Sequence, residues 1–156
     1  MIDIRPAIVP DEVPAVRDLF REYAAALGIN LCFQNFDEEL AGLPGAYSPP
    51  GGRLLVAPDG STLAACVALR TLGPSTCEMK RLYVRPAYRK LGLGRRLAER
   101  ILADAAAAGY REIKLDTLPV MADAIRLYRA LGFTETEPYY VNPVPGALFL
   151  RKPLGP

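Results

Sequence analysis

Between Thr76 and Ala108 the chain reads TCEMKRLYVRPAYRKLGLGRRLAERILADAAAA, and this run restricts the fold more than any other. Thr76–Val84 is strand-forming, Pro86 prevents its continuation, and RKLGLG turns the chain into a helix. On that helix Leu93, Leu97, Ile101, Leu102 and Ala105 share one face, and Gly109 ends it near Ala108. Gly92 and Gly94 open backbone angles closed to other residues, so successive N–H groups can point into one concavity. The helix start adds unpaired donors and the positive end of its dipole. Arg89, Lys90, Arg95 and Arg96 add formal charge. Together these residues describe a pyrophosphate-binding turn. It is not the dinucleotide fingerprint, because Leu97 stands where GxGxxG needs a glycine, and no GxxxxGK[ST] loop is present.

The remaining pattern alternates around this unit. Ile2–Pro6 reads as a short strand. A helix follows to about Leu27, with Asp11 as its expected cap and Val13, Val16, Leu19, Phe20, Tyr23 and Leu27 on one face. A second short helix is expected from Asp37 to before Pro44. Arg53–Ala57 and Thr62–Thr71 read as a hairpin around Asp59–Gly60. Glu112–Thr117 is a strand, about Met121 to Leu131 a helix, and Thr134–Tyr140 and Ala147–Lys152 two last strands. This order predicts a single α/β domain spanning residues 1–156. Its sheet is mixed and mostly antiparallel, of about six or seven strands, with helices on both faces.

Composition narrows the chemistry. Among 156 residues there is no histidine, which removes Ser-His-Asp and Cys-His catalysis and the HExxH zinc site. Cys32, Cys66 and Cys77 form no CxxC pair, so buried reduced thiols are expected and no metal is implied. A net charge of +2 gives no field for nucleic acid, and no apolar run approaches the length of a membrane span. The N-terminus lacks the basic flank and apolar block of a secretion signal, so a cytoplasmic location is expected.

Two stretches carry a resemblance. R-x-x-G-x-G, here Arg89 to Gly94, resembles motif A of the GNAT acetyltransferases. A-x-x-L-Y-x-x-L-G-F, here Ala124 to Phe133, resembles their motif B. The order of elements fits that family along essentially the whole chain. The resemblance implies an acetyl-CoA-dependent N-acetyltransferase with its co-substrate in an opening between Thr76–Val84 and Glu112–Thr117. It implies that the backbone at Leu82, Tyr83 and Val84 pairs with the pantetheine arm. The pyrophosphate would lie on the N–H groups of Lys90, Leu91, Gly92, Leu93, Gly94 and Arg95, beside Arg89. An interruption is expected in Thr76–Val84, whose side chains alternate imperfectly. Many family members carry an asparagine where this chain has Met121, so Asp123 is the expected substitute, with Asp116 and Thr117 contributing at the strand end.

Acetyl transfer to an amine requires the amine to lose a proton and the thiolate to gain one. By resemblance Tyr128 is the proton donor, and Glu78 occupies a spacing at which some members carry a catalytic glutamate. Glu78 reads equally as a strand glutamate paired with Lys80 or Arg70. The acceptor pocket is expected from Asn30–Phe36, Tyr47–Arg53 and Tyr139–Gly146, with Arg70 or Arg81 able to hold a carboxylate. A small amine or amino-acid-like acceptor is preferred to a protein amine, and a non-catalytic CoA-binding protein of the same fold is the alternative. Edge strands near the C-terminus leave a homodimer open.

Overall fold

A computed structural model describes residues 2–155, apart from the side chain of Phe33. Seven strands form one mixed sheet in the order β1-β2-β3-β4-β5-β7-β6. They are β1 (Arg5–Pro6), β2 (Arg53–Asp59), β3 (Thr62–Thr71), β4 (Thr76–Val84), β5 (Glu112–Thr117), β6 (Thr134–Glu135) and β7 (Leu148–Pro153). All neighbours pair antiparallel except β4 and β5. Helices α1 (Val13–Leu27) and α2 (Phe36–Gly42) cover one face, and α3 (Leu93–Ala107) and α4 (Ala122–Ala130) the other. The mixed sheet with helices on both faces is the expected architecture.

Each face has its own apolar cluster. Leu55, Val67, Leu69, Met79, Ile113, Leu115 and Leu150 pack against Leu93, Leu97 and Ile101 of α3. On the opposite side Leu54, Val56, Cys66 and Ala68 pack against Val16, Leu19 and Phe20 of α1. The alternation of side chains along β2 and β3 divides these sets, as a doubly covered sheet requires.

Four local expectations differ. Asp11 does not cap α1; Glu12 is the N-cap residue and makes no side-chain cap bond. Its carboxylate instead accepts from the Ile8 N–H at 2.8 Å and from the Arg5 guanidinium. The hairpin turn lies one residue later than expected, since Asp59 pairs with Thr62 and Gly60 takes φ 61°. β6 ends at Glu135 instead of Tyr140, because Pro138 cannot donate to the ladder and the two following tyrosines are turned inward. Of the three thiols, Cys66 and Cys77 are buried but Cys32 is exposed.

The expected interruption of β4 is present. Cys66 pairs with Tyr83 and Ala68 with Lys80, so Arg81 and Leu82 together oppose Val67. Arg81 sits at φ 62°. This bulge reverses the phase of the strand: Cys77 and Met79 face α3, whereas Tyr83 faces α1.

Candidate active site

β4 and β5 pair in parallel only from Thr76–Glu78 to Glu112–Lys114. Beyond that point β4 continues along β3 while β5 follows β7, and the two strands splay. The gap is a cavity walled by Met79 to Leu82 of β4, Leu115 to Thr117 of β5, and Tyr128 and Met121 of the α4 segment. Tyr23 and Leu27 of α1 close it from above.

A cleft of about 590 Å³ adjoins this cavity and shares Tyr23, Leu27, Leu82 and Met121 with it. Its walls include Tyr83, Val84, Arg89, Lys90, Gly92, Leu93, Gly94 and Asp123. The turn between β4 and α3 takes two left-handed residues, Lys90 at φ 65° and Gly92 at φ 74°. Arg96 donates the first helical bond, to Gly92. None of the N–H groups from Lys90 to Arg95 donates a hydrogen bond among the described residues. Gly94 lies against Val84, and a Cβ there would meet Val84 Cγ2 at an ordinary 3.7 Å. Packing within the protein therefore does not require glycine at 94; the cleft gains open backbone from it. A row of free donors at a helix start, beside Arg89 and Lys90, suits a diphosphate.

Several side chains around the expected cofactor contacts have partners of their own. Arg89 Nε donates to the Val84 carbonyl at 2.9 Å, so that oxygen is already engaged. Leu91 is exposed, and Arg95 pairs with Glu99 at 3.4 Å; neither side chain lines the cleft. Asp123 lines the cleft while pairing with Arg126. Thr117 lies deeper, in the inner cavity, with its hydroxyl on Met121 Sδ at 3.6 Å.

Tyr128 lines the inner cavity and is 5% exposed. Motif B places it there: α4 packs its ring against Phe133 at 5.7 Å between centroids. Its hydroxyl has no hydrogen-bond partner among the described residues. Burial pushes its pKa well up, with the charges of Tyr23 and Asp116 adding to the effect. It stays protonated at any physiological pH.

Glu78 is fully buried and does not border the cavity. Arg70 Nε donates to Oε1 at 2.7 Å, the Tyr139 hydroxyl donates to Oε2 at 2.7 Å, and Lys80 Nζ lies 3.9 Å from Oε2. The pairing with Arg70 follows from register, because the two residues are opposite each other on β3 and β4. Arg81 is buried and bidentate to Glu39, at 2.9 and 2.8 Å, and donates to Gln34 Oε1 at 2.7 Å. It has no fork left for a carboxylate. Arg70 has, since among the described residues only its Nε is engaged.

Of the expected acceptor segments, Asn30–Phe36 and Tyr139–Gly146 meet through hydrogen bonds. Gln34 Nε2 donates to the Tyr140 hydroxyl at 2.9 Å, Tyr140 donates to Asp116, and Asn142 Nδ2 donates to Asp116 Oδ2 at 3.0 Å. Gln34 and Asn142 both reach the inner cavity. Gln34 also borders a second cavity of about 260 Å³ that includes Tyr47 and Arg70. Gln34 carries no motif beyond its place in the expected Asn30–Phe36 segment, and the sequence offers Lys80 only as a partner of Glu78.

The comparisons with known proteins agree with this geometry. Residues 13–133 match the model of the Acetyltransferase (GNAT) family. Over 152 residues the chain is 43% identical to an uncharacterised N-acetyltransferase of Schizosaccharomyces pombe, covering 96% of this chain and 93% of that one. A GNAT-family acetyltransferase from Staphylococcus aureus superposes with a TM-score of 0.83 at 18% identity, covering 99% of this chain and all of that one. A Salmonella typhimurium protein solved with its cofactor acetyl-CoA superposes at 0.76 with 22% identity, covering 100% and 95%. The chain belongs to the GNAT family of acetyltransferases and is an acyltransferase.

Proposed function

We propose that the protein transfers the acetyl group of acetyl-CoA to the amine of a small, amino-acid-like acceptor, with both substrates bound together. One observation carries the reading: the splayed β4–β5 gap opens into a cleft lined by unbonded N–H groups at the start of α3. Lys90 to Arg95 would hold the pyrophosphate, with Arg89 and Lys90 adding charge. Leu82 to Val84 would flank the pantetheine arm, and Asp123 and Thr117 the two ends of the channel. The Salmonella typhimurium protein of the same fold binds acetyl-CoA, which supports this assignment.

Acetyl-CoA supplies an activated acyl group whose thiolate departs more readily when protonated. Tyr128 is the donor, since its hydroxyl is protonated, unpaired and on the cavity wall. Glu78 has both oxygens engaged, so its part in removing the amine's proton runs through Tyr139. The Tyr139 oxygen takes a proton from the amine side, directly or across one water, while its own passes to Glu78 Oε2. A small acceptor suits the convergence of Gln34, Tyr140 and Asn142 on a narrow cavity. The buried, unpaired thiols fit a reducing, cytoplasmic setting, where acetyl-CoA is available.

Isothermal titration with acetyl-CoA, CoA and ATP is the first test, followed by thiol release across a panel of amines. Micromolar acetyl-CoA binding with turnover on an amino-acid-like amine is expected. Binding without turnover on any amine would point to a CoA-binding protein of this fold, and absence of binding would overturn the reading.

A further inference from the structure

Lys80 has no part in the mechanism above, yet it borders the cavity that Tyr128, Asp116 and Thr117 also border. Its ammonium is almost wholly buried, with 5% of the side chain exposed. An ammonium has three donors, but among the described residues Nζ makes a single long bond, 3.3 Å to Gln34 Oε1, and lies 3.9 Å from Glu78 Oε2. Burial holds its pKa below that of ordinary lysine, Glu78 and Asp116 opposing this and Arg81 and Arg70 reinforcing it. An amine whose charge burial disfavours therefore stands at the wall of this cavity before any acceptor arrives.

We propose that Lys80 is a self-acetylation site, taking the acetyl group from bound acetyl-CoA when no acceptor is present. The inference rests on the acetyl-CoA site proposed above. The Nζ ammonium first gives a proton to Glu78, which releases it to solvent; neutral Nζ then attacks the thioester carbonyl, the C–N bond forms, the C–S bond breaks, and the electron pair leaves on sulfur. Sulfur takes a proton from Tyr128, nitrogen gives one to Glu78 Oε2, which it already faces at 3.9 Å and so reaches without the Tyr139 relay, and both side chains return to their resting states by exchange with solvent. The net products are an amide and free CoA. An amide is a far poorer acyl donor than a thioester, so the group is not passed on. It removes the charge beside Glu78 and fills the cavity, which shuts the site after one turnover.

Four lysines make the test simple: Lys80, Lys90, Lys114 and Lys152. Uncatalysed acetylation by acetyl-CoA follows exposure and would reach Lys90 first. Delivery within the site reverses that order. The purified protein is incubated with acetyl-CoA alone and followed by intact mass, peptide mapping and thiol release, with and without excess desulfo-CoA. The expected result is one acetyl group and one thiol per chain. Lys80 should be labelled at least roughly tenfold faster than Lys90 and be protected by desulfo-CoA, because proximity governs only the bound amine. Turnover on a competent amine should fall in step with Lys80 labelling. Lys80→Arg should bind acetyl-CoA and release no thiol without acceptor. Labelling of Lys90 first, or thiol release from Lys80→Arg, would overturn the proposal. Titration of acetyl-CoA on the same samples shows whether the acetyl-CoA site itself stands.

Discussion

The Tyr139 hydroxyl donates to Glu78 Oε2 at 2.7 Å, joining a loop after β6 to the buried middle of β4. Arg70 takes the other oxygen from β3, so the carboxylate ties three segments together. Replacing Glu78 by alanine leaves Arg70 and Lys80 without their counter-charge and should cost on the order of 3 kcal/mol in chemical denaturation. Glu78→Gln keeps the shape and should cost less.

The relay through Tyr139 is separable from that structural role. Tyr139→Phe removes the hydroxyl and leaves the Arg70–Glu78 pair intact. The variant should lose about 1–3 kcal/mol, the cost of leaving a buried acceptor oxygen short of a donor, while kcat falls roughly tenfold or more, as loss of general base assistance does. Its pH–rate profile should also lose the acid-limb inflection that a general base sets. An unchanged profile would reduce Glu78 and Tyr139 to scaffolding.

Tyr128→Phe should lower kcat by about 10²–10³ with little change in KM, the range for a lost general acid. Stability should hold, because the hydroxyl has no partner among the described residues to lose and the ring contact with Phe133 is kept. Steady-state kinetics beside a thermal melt would check both parts.

The two glycines of the turn should behave differently. Gly92 sits at φ 74°, so Gly92→Ala should cost about 1–2 kcal/mol of stability from backbone strain alone. Gly94 is helical with room for a Cβ, so Gly94→Ala should be neutral or stabilising by up to about 1 kcal/mol. Both should weaken acetyl-CoA binding, Gly94→Ala by roughly tenfold, equivalent to ~1.4 kcal/mol. Calorimetry of each variant with acetyl-CoA separates the effects.

Burial pushes the Cys66 and Cys77 thiols up to about 12. The unfolded chain would release those protons near ~8.5. Their contribution to stability is therefore complete below that pH and declines as pH rises from it toward 12. The slope should reach at most about 1.4 kcal/mol per pH unit for each thiol. At pH 8 native alkylation should find Cys32 alone, and all three thiols after unfolding.

Much of this protein is written locally. The period of Leu93, Leu97 and Ile101 sets α3, and Pro86 with Gly92 and Gly94 sets the turn that feeds it, because each depends only on residues within a few positions. Motif B likewise puts Tyr128 on α4 with its ring in the core. Such features need no knowledge of the rest of the chain.

The polar arrangement of the site was decided by the tertiary structure. Gln34 meets Tyr140 across 106 positions, and Arg81 meets Glu39 across 42. Neither pair has a periodic or compositional signature. The bulge at Arg81 and Leu82 shifts which side each later residue of β4 faces, so strict alternation would misplace Tyr83. Sequence alone left Glu78 open between base and structural ion pair, since both readings use the same residue at the same strand position. Only the folded chain places Arg70, Lys80 and Tyr139 around its carboxylate, because strand register and loop closure act at distances that local pattern cannot encode.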